Sequence, residues 1–133
     1  MWLFLLLAYF NKVEFFIMNS IFSIKENRDF RRIYAKGKSL VSPYVVVYYI
    51  KNRKENVRLG ITAGKKIGTA VARNRAKRLI RAAFRECVPN ICTGYDFIIV
   101  ARTRILSVKS TAVEQSLKKL LVSAGLYGHL ENE

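Results

Sequence analysis

Groups that do chemistry are scarce in this chain of 133 residues, which carries one histidine, two cysteines and nine Asp and Glu residues. The histidine, His129, lies near the C-terminus among polar residues, a poor place for a catalyst or a metal ligand. Cys87 and Cys92 have no further Cys or His nearby. That spacing is neither a zinc pattern nor a disulfide framework, and it reads as two reduced, partly buried thiols. The acids do not cluster. Asp29 and Asp96 stand beside expected helix or strand starts and read as capping or turn residues, while Glu131 and Glu133 fall in the tail. A self-sufficient nuclease needs grouped carboxylates or a His pair, so that class is set aside.

Long apolar runs are also missing. The N-terminal run, Trp2 to Phe10, has nine residues, against about 20 for a membrane-spanning helix. Nothing basic precedes Trp2 and no small-residue cleavage site follows in "NKVEFFI", so a signal peptide is not matched. Lys12 and Glu14 cancel, leaving the whole formal charge of +15 on residues 18–133. The expectation is that Met18 is the working start, that residues 1–17 are a non-functional extension, and that residues 18–133 are one domain. Repeats, linkers and low-complexity stretches are absent from the sequence.

Positive charge is what the chain has in excess, with 24 Lys and Arg and an isoelectric point near 10.2. Solubility of a small domain needs only about 2–8 units of net charge. A field of this strength and sign favours a polyanion or an anionic membrane surface as partner. Apolar residues make up 51% and aromatics 12%, enough for a globular domain with a modest core.

The elements follow from periodicity. Ser23 and Glu26 have the spacing of a capping box ahead of a helix in which Phe30, Ile33 and Tyr34 share a face, with Gly37 as its stop. "YVVVYYI", 44–50, and "VRLGITA", 57–63, read as strands joined as an antiparallel hairpin by "KNRKEN". A loop "GKKIGTA" leads into a helix over 71–87, and "DFIIVA", 96–101, reads as a buried central strand. Thr111 and Glu114 suggest another capping box, before a stripe of Val113, Leu117, Leu120, Leu121 and Ala124 that ends at Gly125. The order α-β-β-α-β-α predicts an α+β, two-layer α/β sandwich.

The helix over 71–87 carries the sharpest signal. Ala76, Leu79, Ile80, Ala83, Phe84 and Cys87 gather on one face, the pattern of a helix docked on a core. Asn74, Arg75, Lys77, Arg78, Arg81 and Arg85 fill the opposite arc, with no acid before Glu86. Like charges at i,i+3 and i,i+4 cost stability. An external polyanion, whose phosphates replace the missing carboxylates, would offset that cost. Lys65 and Lys66 stand in the loop feeding the helix N-terminus, where free backbone amides and arginine forks suit phosphate oxygens. A P-loop is rejected, because only three residues separate Gly60 from Gly64 and Lys66 stands where Ser or Thr is required. Gly64 and Gly68 read as giving a tight loop room beside a backbone. Phe30, Tyr34 and Tyr48 would line a groove if the first helix lies over the Tyr48 face of its strand, where Tyr44, Val46 and Ile50 also point. Such platforms stack single-stranded bases beside positive charge; the competing reading is that all three are core.

The run "RLGITAGKKIGTAVARNRAKRLIRAAFRE", 58–86, closely resembles the signature of the bacterial ribonuclease P protein family, centred on an R-N-R helix. "ENRDFRRIYAKGKS", 26–39, and "DFIIVAR", 96–102, are similar to that family's first helix and last strand. The resemblance implies a left-handed β-α-β crossover, as in a domain of some ribosomal proteins and translation factors. It implies a cytoplasmic protein, needing no stable protein partner, that joins a catalytic RNA. That complex removes the 5′ leader from precursor tRNA using magnesium ions held mainly by the RNA. By position, Arg73, Asn74, Arg75, Lys77, Arg78 and Arg81 match the R-N-R helix, and Lys65 and Lys66 the basic loop before it. Phe30, Tyr34 and Tyr48 match the cleft that takes the single-stranded leader. Gly64 departs from the family's commoner Ser, which weakens one phosphate or metal contact. Charge and fold would equally allow a ribosomal or general RNA-binding protein; the discriminating feature is the R-N-R helix preceded by "GKKIG".

Overall fold

The computed structural model describes residues 21–128. In chain order the elements are β1 (Ile21–Ser23), α1 (Asn27–Lys36), β2 (Lys38–Val41), β3 (Val45–Lys51), β4 (Val57–Thr62), α2 (Ala70–Cys87), β5 (Tyr95–Ala101) and α3 (Ser110–Ser123). Short 3-10 turns lie at Lys65–Ile67, Val88–Asn90 and Thr103–Ser107. The α+β order follows the hydrophobic patterns. β1 and β2 are additions, too short and too exposed to leave a periodic trace. The expectations for residues 1–17, His129, Glu131 and Glu133 lie outside the described residues.

The five strands form one sheet in the order β1-β4-β5-β3-β2. β5 is its centre, with Phe97, Ile98 and Ile99 wholly buried, as expected for a strand apolar on both faces. It runs antiparallel to β3 and parallel to β4. The expected β3–β4 hairpin therefore does not form. Its connection is held open by Gly94, which accepts from the Asn52 amide and donates to the Asn56 carbonyl, at 2.8 and 2.9 Å. A strand apolar on both faces is best covered at the centre of a sheet with helices on each side, and insertion between β3 and β4 puts β5 there.

Helices cover both faces of the sheet. α2 and α3 pack on Val45, Val47, Phe97 and Ile99 through Ala76, Ile80, Ala83, Phe84, Val113, Leu117 and Leu121. On the other face α1 packs Ile33 against Ile24 and Ile98, flanked by Phe30, Tyr48, Ile50 and Val100. Each fully buried Ile, Leu or Phe contributes about 1.5–3 kcal/mol. Tyr44, expected beside Tyr48, instead packs with the α2–α3 side, because it precedes β3 and is still in the turn held by Ser42.

Both expected capping boxes are replaced. Ser23 lies in β1, and the next amide, Ile24, donates to the Leu59 carbonyl at 2.9 Å, so strand pairing takes the cap position. α1 begins after Glu26 and α3 after Lys109, neither with a side-chain cap. Glu114 pairs instead with Lys118 at 2.8 Å, one turn on. α2 does have a cap, with Thr69 Oγ1 accepting from the Ala72 amide at 3.2 Å. Gly37 ends α1 in extended backbone rather than a left-handed turn. Its need for glycine is steric, since a Cβ there would meet the Ile33 and Tyr49 carbonyl oxygens at 2.5 and 2.9 Å.

Candidate nucleic-acid interface

The basic arc begins with the loop after β4. Lys65 and Lys66 are exposed on a 3-10 turn anchored by buried Ile67. Gly68 turns the chain into α2 at φ 135, a backbone state L side chains rarely adopt. Gly64 needs no such freedom, because its φ is −80 and a Cβ there would touch nothing within 4 Å. A serine would fit at Gly64 without strain, so the expectation that Gly64 serves a close backbone approach is corrected. Thr69 takes the Ala72 amide, while the amides of Ala70 and Val71 stay outside the helical ladder at the same end as the two lysines.

Along α2 the docked face is as expected: Ala76, Ile80, Ala83, Phe84 and Cys87 are buried. Asn74, Arg75, Arg78, Arg81 and Arg85 are exposed, and Arg73 and Lys77 are half-buried. The ion pairs formed among the described residues involve Arg28, Arg32, Arg58 and Lys118, none of them on α2. The Arg73 Nε is buried and has no hydrogen-bond partner. A buried donor without a partner is costly, and this one sits in the R-N-R stretch.

On the opposite face of the sheet the three aromatics do come together. The Tyr34 ring stands edge-on to Tyr48 with centroids 4.9 Å apart, and Phe30 lies 6.3 Å from Tyr34. Phe30 leans on Gly60, where a Cβ would come within 2.8 Å of its ring. Phe30 and Tyr48 are half-buried and Tyr34 is 38% exposed, so the cluster grades from core to surface. The Tyr34 hydroxyl lies 3.4 Å from Thr62 Oγ1 at the end of β4. Three residues on is Lys65, whose Cα is then within about 11 Å of that of Thr62. The aromatic platform and the basic loop thus share one end of the sheet.

Sequence reasoning missed what fixes α1 over that platform. Asp96 is not a turn residue but a wholly buried carboxylate inside β5. It accepts from Arg32 Nη2 at 3.1 Å, Arg58 Nη1 at 3.2 Å and Asn52 Nδ2 at 2.9 Å. Arg58 also donates to Asp29 at 3.0 Å, so Asp29 is an ion-pair partner rather than a cap. That guanidinium holds the Asp29 carboxyl below its ordinary value of 3.8. The signal was available in principle: Arg58 and Asp96 are direct partners in the parallel β4–β5 register, and opposite charges across two strands attract.

Among the described residues no three His, Cys, Asp or Glu side chains group to hold a metal, and Asp29 and Asp96 are engaged by arginines. These side chains do not fit a magnesium site. No helix among the described residues is long and apolar enough to cross a membrane.

Comparisons with known proteins agree with this geometry. A family model described as Ribonuclease P matches residues 18–125. The ribonuclease P protein component of Clostridium acetobutylicum is 42% identical over 105 residues, covering 77% of this chain and 88% of that protein. Its counterpart in Thermoanaerobacter sp. (strain X514) is 38% identical over 107 residues, covering 80% and 92%. The solved Staphylococcus aureus RNase P protein superposes with a TM-score of 0.72 at 37% identity, over 80% of this chain and 98% of that one. The Thermotoga maritima RNase P protein gives 0.68 at 35%, over 74% and 94%. With its sheet order, its R-N-R helix and these relatives taken together, the chain belongs to the ribonuclease P protein family.

Proposed function

We propose that this chain is the protein subunit of ribonuclease P, assisting a catalytic RNA in cutting the 5′ leader from precursor tRNA in the cytoplasm. The observation that carries the reading is the α2 surface. Its six Lys and Arg side chains, from Arg73 to Arg85, find no carboxylate among the described residues, although their clustering costs helix stability. RNA phosphates supply the missing partners, and binding should weaken steeply with salt as counterions are released.

On this reading Arg73, Asn74, Arg75, Lys77, Arg78 and Arg81 grip the RNA subunit, with Lys65 and Lys66 at the helix entrance. Phe30, Tyr34 and Tyr48 receive the single-stranded leader, and the loop at Lys65 neutralises its backbone where the platform ends. Holding both RNAs orients the scissile phosphate and screens its charge. Magnesium ions held by the RNA would supply the activated water. The protein contributes no nucleophile.

The test is single-turnover cleavage of a leader-bearing precursor tRNA at low magnesium by a bacterial ribonuclease P RNA, with and without the full chain. Strong stimulation by a protein inert alone is expected, and its loss in Arg73→Ala/Arg75→Ala. RNA binding without stimulation would favour a general RNA-binding protein and defeat the reading.

A further inference from the structure

Between β1 and α2 lies a cleft of about 380 Å³ that excludes the aromatic platform and Arg73–Arg75, and shares Lys77 and Arg81 with the rest of the R-N-R helix. Its floor is apolar, from Ile24, Leu59 and Phe84. Its rim is cationic: Lys77, Arg81 and Arg85 step along α2 one turn at a time, and Lys25 faces them from beyond β1. No acidic side chain lines it among the described residues. The third wall is β1, which pairs with β4 and turns Ile21 and Ser23 toward the cleft.

These three walls match three parts of one ligand. An apolar floor takes the flat face of a base, the Ser23 hydroxyl offers a donor and an acceptor to the rim of that base, and a helical ladder of cations follows a phosphodiester backbone. The volume is near the lower end for small-ligand sites, about 300–1,000 Å³, which suits one nucleotide rather than a helix or a folded peptide. Duplex RNA is excluded, since its bases are stacked and only an unstacked nucleotide presents a bare face. We infer that the β1–α2 cleft is a pocket for a single unstacked nucleotide of a bound RNA, with Lys25 and Arg85 as phosphate contacts additional to the R-N-R residues. The inference rests on the reading of α2 as an RNA-contacting helix. The nucleotide can come from the RNA subunit or from precursor tRNA, and the same chemistry serves both.

The experiment places the photoreactive amino acid p-benzoylphenylalanine at Ser23, which lines the cleft, in the full chain. The complex is assembled with differently labelled ribonuclease P RNA and precursor tRNA. Irradiation should join position 23 to one nucleotide, and the label shows which RNA carries it; an adduct with either supports the pocket. Ser23→Trp, which fills the cleft and alters no charge, should weaken that RNA's binding about tenfold while circular dichroism stays unchanged. Lys25→Ala/Arg85→Ala should weaken binding and flatten its salt dependence. The same probe at Arg78, on the exposed arc of α2, separates the two readings. Adducts from Arg78 but not from Ser23 leave the helix reading standing and overturn the pocket, the cations then merely covering the floor with their aliphatic stems. Adducts from neither position overturn both, and unchanged binding by Ser23→Trp overturns the pocket alone.

Discussion

Replacing Asp96 by Asn tests the network under α1. The change keeps side-chain volume, so no cavity forms, but it removes the charge that Arg32 and Arg58 address at 3.1 and 3.2 Å. It also sets an amide donor against guanidinium donors. Removing one partner of a fully buried pair costs about 3–5 kcal/mol. Here the arginines are less confined. Arg32 is 39% exposed and can turn to water, and Arg58, 20% exposed, keeps Asp29 at 3.0 Å. Discounting for that solvation gives about 2–3 kcal/mol. A urea slope of about 1–3 kcal/mol per molar turns this into a midpoint lower by about 0.7–3 M, with the slope unchanged. A native stability of about 5–15 kcal/mol leaves the variant folded at 25 °C. The assay is urea unfolding followed by circular dichroism. A midpoint within about 0.3 M of wild type, well inside the shift expected from the urea slope, would refute the reasoning. It would mean that the desolvation of Asp96 cancels everything its arginines return.

Three further expectations come from single residues. Asp29 is held below 3.8 by the Arg58 hydrogen bond, so its contribution is full above the unfolded value and lost as pH falls through the depressed one. Asp29→Asn should be less stable than wild type at about pH 6, with the gap narrowing in urea titrations as pH falls below the unfolded value; a constant gap would contradict this. Burial pushes the Cys87 thiol up to about 12, so a thiol reagent at about pH 8 should leave Cys87 untouched in the native protein and modify it only on unfolding. Tyr34→Ala should weaken precursor tRNA binding by about five- to tenfold, at the lower end of one base stack, and spare mature tRNA. Equal losses for both ligands would make Tyr34 a core residue only.

How far the sequence could be read depended on the range of each interaction. The docked face of α2, from Ala76 to Cys87, was legible because one helix's period contains it. The central place of β5 was legible in "DFIIVA", but its neighbours were not: proximity along the chain favoured a β3–β4 hairpin, whereas the insertion of β5 puts Phe97–Ile99 under helices on both faces. Capping boxes at Ser23 and Thr111 failed because local spacing cannot see a strand pairing with Leu59 or the Glu114–Lys118 pair. The aromatic trio was legible as a possibility from strand alternation, and its assembly depended on α1 crossing β3, which no local pattern encodes. Asp96 was misread because a carboxylate at a strand start usually means a turn, and its two arginines lie 38 and 64 residues away.

The placement of β5 also bears on how the chain comes off the ribosome. α2 is complete at Cys87, but the strand it rests on ends at Ala101, which is about one to three seconds of synthesis later. Until then the apolar side of the most basic helix has no Phe97 or Ile99 to cover it, and β3 and β4 have nothing to join them. A nascent chain at this stage presents a cationic amphipathic helix to a ribosome made largely of RNA. Sheet closure therefore waits on pairings of long sequence separation, which form slowly, and a chain cut short before Tyr95 would keep its charge and lose its fold.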